Sequence, residues 1–207
     1  MGKTAELGRR VELVPMDPHF HDITIALYQL ATPTGPRYLV HSYSGRPGVP
    51  ARLAFVAGAM AVLGGMEAVG VQLLRFPCGG AHELACRRAF LEACKLDPVH
   101  ELAVRPLSFF DKKSGHQIQI TSLGGGTYRV ALESGDESRA AAVAAGLVKL
   151  GQLESPAPDR VAFGCGQAHD ALVGMLVVRA VNVRATLREQ ELLAARGLLV
   201  APSAQQN

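Results

Sequence analysis

Apolar and polar positions alternate along residues 23–30 and 37–44. The two runs are separated by Ala-Thr-Pro-Thr-Gly-Pro, a turn-forming string, so the pattern predicts a β-hairpin. A second hairpin is predicted for residues 116–121 and 127–133, joined by Ser-Leu-Gly-Gly-Gly. Alanine-rich stretches at 51–63 and 138–150 predict helices, each stopped by a glycine, Gly64 or Gly151, in the position of a C-cap. Short apolar runs at 69–76 and 160–163 predict buried strands, and helices are expected over 81–96 and 168–183. Residues 11–14 and 102–108 would add a first strand to each set, and an amphipathic stretch at 187–199 predicts a further helix.

These elements recur because the sequence repeats itself. Phe76-Pro77-Cys78-Gly79-Gly80-Ala81-His82 returns 87 positions later as Phe163-Gly164-Cys165-Gly166-Gln167-Ala168-His169, with five of seven residues identical and Glu83 facing Asp170. At the same offset Arg52, Ala54, Val56, Ala57, Leu63 and Gly64 meet Arg139, Ala141, Val143, Ala144, Leu150 and Gly151. Upstream, an offset of 90 aligns Tyr38-x-Val40 with Tyr128-x-Val130 and Ser44-Gly45 with Ser134-Gly135. The reading is an α+β protein made of a duplicated (β)ββαβα unit. Copy 1 covers 11–98, copy 2 covers 99–185, and a helix and tail cover 186–207. A pseudo-two-fold axis would pack the copies into one compact domain.

That order of strands and helices resembles the half-domains of the ribosomal protein S5 domain 2-like superfamily. In that group imidazoleglycerol-phosphate dehydratase and the zinc deacetylase of lipid A synthesis also pair two copies. The resemblance covers roughly residues 11–185 and lies in element order; the histidine and acidic motifs of those enzymes are not present.

Composition narrows the function classes. With 207 residues and 48% hydrophobic content the chain can bury a sizeable core. The 21 Lys+Arg against 18 Asp+Glu give a net charge of +3, without the dense basic run that tracks a phosphate backbone, so nucleic acid is not an expected partner. The opening residues carry no apolar stretch behind their charges, which predicts no secretory signal. The most apolar run, 171–183, falls short of the roughly 20 residues a bilayer requires, so no membrane association is expected. Four cysteines in apolar surroundings fit reduced thiols and a cytoplasmic location. The nearly all-round apolar character of 171–183 suggests burial on more than one side, in a homo-oligomer.

Chemistry concentrates in the repeated turn. Between the copies it keeps five of seven residues, whereas the next fourteen positions keep one, Ala93 and Ala180. A cysteine at the end of a strand, with a helix starting just beyond, would point its sulfur at unpaired N–H groups, an arrangement that lowers a thiol pKa. A histidine four residues on, in the first helical turn, could then act as its base, with Glu83 or Asp170 beside it. Gly79, Gly80 and Gly166 would let an anionic ligand approach the backbone. If the two turns face each other, Cys78, His82, Cys165 and His169 instead form a Cys₂His₂ zinc set. Cys-Gly-Gly-Ala-His also resembles the Cys-Gly-Gly-x-His zinc segment of alanyl-tRNA editing domains, which implies Cys78 and His82 as metal ligands. The His-x-x-x-His pair of those domains is not present here.

The plainer alternative is that these residues serve packing alone. The segment Asp17-Pro18-His19-Phe20-His21-Asp22 reads as a solvated loop, with the alternative that His21 and its counterpart His116 line a cleft, and Cys86 and Cys94 read as core residues. The sequence thus points to a small-molecule enzyme of hydrolytic or group-transfer type, built on the Cys/His turns. A zinc-binding protein and a non-catalytic oligomerising module stand as alternatives.

Overall fold

The computed structural model describes residues 8–97, 107–111 and 115–181. The expected helix at 187–199 and most of the expected strand at 102–108 lie outside them. Within copy 1 the elements are β1 (Arg9–Val14), β2 (Ile25–Leu30), β3 (Arg37–His41), α1 (Val49–Gly64), β4 (Glu67–Gly70), β5 (Leu73–Arg75) and α2 (Glu83–Lys95). Copy 2 repeats them as β6 (Ser108–Asp111), β7 (His116–Gly124), β8 (Thr127–Leu132), α3 (Glu137–Gly151), β9 (Glu154–Ala157), β10 (Arg160–Ala162) and α4 (Asp170–Ala180). The protein is therefore mixed α+β, with two five-stranded antiparallel sheets ordered β1-β2-β3-β5-β4 and β6-β7-β8-β10-β9.

The register repeats with the sequence. Tyr38 pairs with Leu74 in the first sheet, and Tyr128 pairs with Val161 at the same place in the second. The helices of each copy pack on one another and against those of the other copy, α1 on α4 and α2 on α3 and α4. A single apolar core runs through both copies, from Leu27, Val56, Met60 and Phe90 to Val143, Leu147, Leu172 and Leu176. Most of the apolar surface of α4 lies inside this core, since Leu172, Val173, Met175, Leu176 and Val177 are buried and Val178 is exposed. Its hydrophobicity thus supplies no argument for a homo-oligomer. No helix among the described residues is long and apolar enough to cross a membrane.

Each unit has one strand more than the sequence predicts, being βββαββα. The run at 69–76 is a hairpin, β4 and β5, rather than one buried strand. Val71 lies at its tip and is 78% exposed, so the apolar run marks a surface turn. Its counterpart β9 reads Glu-Ser-Pro-Ala, which has no strand pattern, and its proline is tolerated because β9 is an edge strand. This extra strand also sets the unit apart from the S5 domain 2-like half-domain. The first strand of copy 2 runs from Ser108 to Asp111, further along than expected. Asp111 is buried there because Arg139 reaches it, so a residue that looks like polar loop closes a strand. Finally, the helix-ending glycines Gly64 and Gly151 are the last helical residues, and the left-handed C-caps are Gly65 and Gln152.

Candidate metal centre

Both Cys-Gly turns follow the inner hairpin strands β5 and β10. Gly79 and Gly166 take φ of 70° and 71°, left-handed values that glycine adopts without strain. The next N–H in each turn then folds back onto the sulfur: Gly80 donates to Cys78 Sγ at 3.3 Å and Gln167 to Cys165 Sγ at 3.4 Å. The β2–β3 and β7–β8 connections press against these turns. A side chain at Gly35 would meet the Gly79 carbonyl at 2.6 Å, and one at Gly126 would meet Gln167 backbone at 2.9 Å. The glycines of both hairpins thus allow the same close approach.

The histidines are the N-cap residues of α2 and α4, one position before the helices begin rather than inside the first turn. His82 takes a left-handed conformation, with φ of 40°. From these positions each ring turns back to its own cysteine. Cys78 Sγ lies 3.0 Å from His82 Nε2, and Cys165 Sγ lies 3.2 Å from His169 Nε2.

The two pairs lie against each other. The His82 and His169 rings are 4.5 Å apart, and one donor atom from each of Cys78, His82, Cys165 and His169 lies within 4.8 Å of all the others. Phe76 and Phe163 wall the cluster on its inner side, each ring contacting both imidazoles at centroid distances of 4.6 to 5.9 Å. The sulfurs are half-buried, His82 is half-buried and His169 is buried. This cluster could hold a metal ion such as zinc.

Tetrahedral zinc with bonds of about 2.3 Å to sulfur and 2.0 Å to nitrogen separates its ligand atoms by roughly 3.3 to 3.8 Å. The donors found here converge to that scale. Two thiolates and two imidazoles are also the donor chemistry that zinc favours.

The electrostatics run against a thiolate–imidazolium pair. Burial pushes the Cys78 thiol up, outweighing the opposing Gly80 hydrogen bond, and the adjacent Cys165 sulfur adds to the rise. Burial lowers His82. Burial, followed by the His82 charge, pushes His169 down to about 4, with Asp170 acting in the other direction. The expectation of a Cys78 thiol acidified by the helix end is therefore overturned: the neighbouring N–H stabilises the thiolate, but desolvation costs more.

Glu83 and Asp170 lie beside the cluster in different roles. Glu83 pairs with Arg9 of β1, and Asp170 accepts a hydrogen bond from Tyr128 Oη at 2.7 Å. Tyr128 Oη also accepts from the His169 N–H at 2.6 Å, while Tyr38 Oη donates to the Ala81 carbonyl. Neither tyrosine is a site residue in the sequence reading, although their recurrence at an offset of 90 was a signal that could have found them.

A second duplicated device holds the far ends of the site helices. Arg52, fully buried, donates to Asp17 Oδ2 at 3.0 and 3.1 Å and to the carbonyls of Cys94 and Leu96 at the end of α2. Arg139 does the same with Asp111 and the Val181 carbonyl at the end of α4. Asp17 is therefore a buried structural anion and not part of a solvated loop, whereas His21 is exposed. Cys86 and Cys94 are in the core, and burial pushes Cys94 up to about 12.

Comparison with known protein families, curated proteins and solved structures finds no match.

Proposed function

We propose that this chain is a zinc-binding protein whose single Cys₂His₂ centre is shared between its two copies. The convergence of four donor atoms within 4.8 Å, two from each copy, carries this reading. Three of the four groups are half-buried and His169 is buried against two phenylalanine rings, and a divalent cation would take one donor atom from each of them at once. Four protein ligands fill a tetrahedral ion, so the ion has no open position for a substrate and its role is not catalytic. The apolar core also joins the two copies apart from this cluster. The metal fastens the two turns to each other.

The enzymatic reading, with Cys78 or Cys165 as a nucleophile, is less well supported by the same residues. A raised Cys78 thiol beside a histidine of lowered pKa does not make an activated dyad. Elemental analysis of protein purified without added metal tests the proposal and should find one zinc per chain. Replacement with cobalt should give the intense thiolate-to-metal absorption of a tetrahedral site. Metal-free protein whose Cys78 or Cys165 alkylates rapidly at neutral pH would return the nucleophile to first place.

A further inference from the structure

The zinc reading treats the two sulfurs as ligands, yet their placement allows a second state. Cys78 and Cys165 come from different copies and lie within 4.8 Å of each other. Both are free thiols and both are half-buried, so small solutes can reach them. The turns that carry them are largely surface-exposed, with Pro77, Gly79 and Ala81 on one side and Gly164, Gly166, Gln167 and Ala168 on the other. The other two cysteines of the chain are buried, Cys86 at 0% and Cys94 at 2% exposure. The chain therefore has one reachable pair of thiols and one shielded pair.

We propose that Cys78 and Cys165 form a reversible disulfide between the two copies, and that hydrogen peroxide, in oxidising them, expels the metal. Rotation of the two side chains, with a small shift of the exposed turns, closes their separation to an S–S bond of about 2.05 Å. One sulfur attacks the peroxide; its S–O bond forms as the O–O bond breaks, and the departing oxygen leaves as water after taking up a proton. The second sulfur then attacks the resulting sulfenic acid, the S–S bond forms, and the S–O oxygen leaves as a second water with a second proton. The two thiolates lose two electrons together and the peroxide gains them. A disulfide offers no thiolate to zinc, so only His82 and His169 remain as ligands and the ion is released.

The metal-release half of this proposal rests on the zinc reading, whereas the disulfide itself needs only the two sulfurs. The experiment therefore uses zinc-loaded and metal-free samples of the full chain, each exposed to a short pulse of hydrogen peroxide. A chromogenic chelator follows free zinc while mass spectrometry follows the sulfurs.

The expected result is one zinc released per Cys78–Cys165 crosslink formed, a mass lower by two hydrogens, and recovery of both after dithiothreitol and added zinc. Cys86 and Cys94 should react at least about tenfold more slowly. Cys78→Ser and Cys165→Ser should each abolish the crosslink. A crosslink in protein that fails to take up added zinc would retain the disulfide and remove the metal reading. Oxidation of both sulfurs to sulfinic acid without a crosslink, or zinc release without one, would overturn the proposal.

Discussion

The two Cys-Gly-x-Ala-His turns hold the same donors through different supports. In copy 1 the turn is tied through Tyr38 to the Ala81 carbonyl, and its acid, Glu83, is neutralised by Arg9 from the neighbouring strand. In copy 2 Tyr128 grips the His169 N–H and Asp170 together, and His169 is the more deeply buried histidine. The donors stay fixed while their surroundings diverge, as expected where the constraint is on a shared point in space.

The helices that follow meet through unlike residues at one pair of equivalent positions. Glu92 of α2 and Arg179 of α4 occupy equivalent positions 87 residues apart and form an ion pair. Two like charges at these facing positions would repel. Histidines can meet in this way only while they are neutral or share a cation.

The largest expected difference between the copies lies in the buried arginines. Arg52→Ala leaves the Asp17 carboxylate unpaired in a fully buried place and should cost about 3–5 kcal/mol in denaturant unfolding. Arg139, whose side chain is 21% exposed, admits water, and Arg139→Ala should cost less, about 1–3 kcal/mol. Equal losses would mean that the two latches contribute alike despite their different burial.

A pH titration of the metal-free protein separates the histidines. His169 faces His82, Asp170 and Cys165, and its folded pKa of about 4 lies below the ordinary 6.5. The unfolded chain therefore binds the proton first. Stability should be fully present above about pH 6.5 and fall, by on the order of 2 kcal/mol, as the pH drops toward 4. His169→Gln should flatten this dependence more than His82→Gln, and an unchanged profile in His169→Gln would place the titration elsewhere.

The supporting tyrosines should differ by a smaller margin. Tyr128→Phe strands the buried His169 N–H and should cost about 1–3 kcal/mol. Tyr38→Phe removes a bond to the carbonyl of the exposed Ala81 and a long one from Gln29 Nε2, and should cost about 1 kcal/mol. Thermal melts of the two variants measure both, and a greater loss in Tyr38→Phe would reverse the assigned supports.

Much of this was legible in the sequence because duplication marks what both copies need. The offset of 87 exposed the donors directly, and the strand and helix periods located ten of the fourteen described elements to within a few residues. What escaped was set by tertiary contacts. Asp17 and Asp111 look like loop residues until Arg52 and Arg139 reach them. β9 has no apolar pattern because it is an edge strand, and β4 is exposed along its length. The direction of the Cys78 shift is not legible in the sequence because burial and the approach of Cys165 are set by tertiary contacts.

Zinc stoichiometry in the single-cysteine variants tests the shared centre most directly. One zinc per chain is expected for the unaltered protein, with Cys78→Ser and Cys165→Ser each weakening binding by on the order of a hundredfold or more, because each removes one of four ligands from the same ion. Two zinc ions per chain, or a variant that keeps full binding after losing either cysteine, would contradict a centre built from both copies.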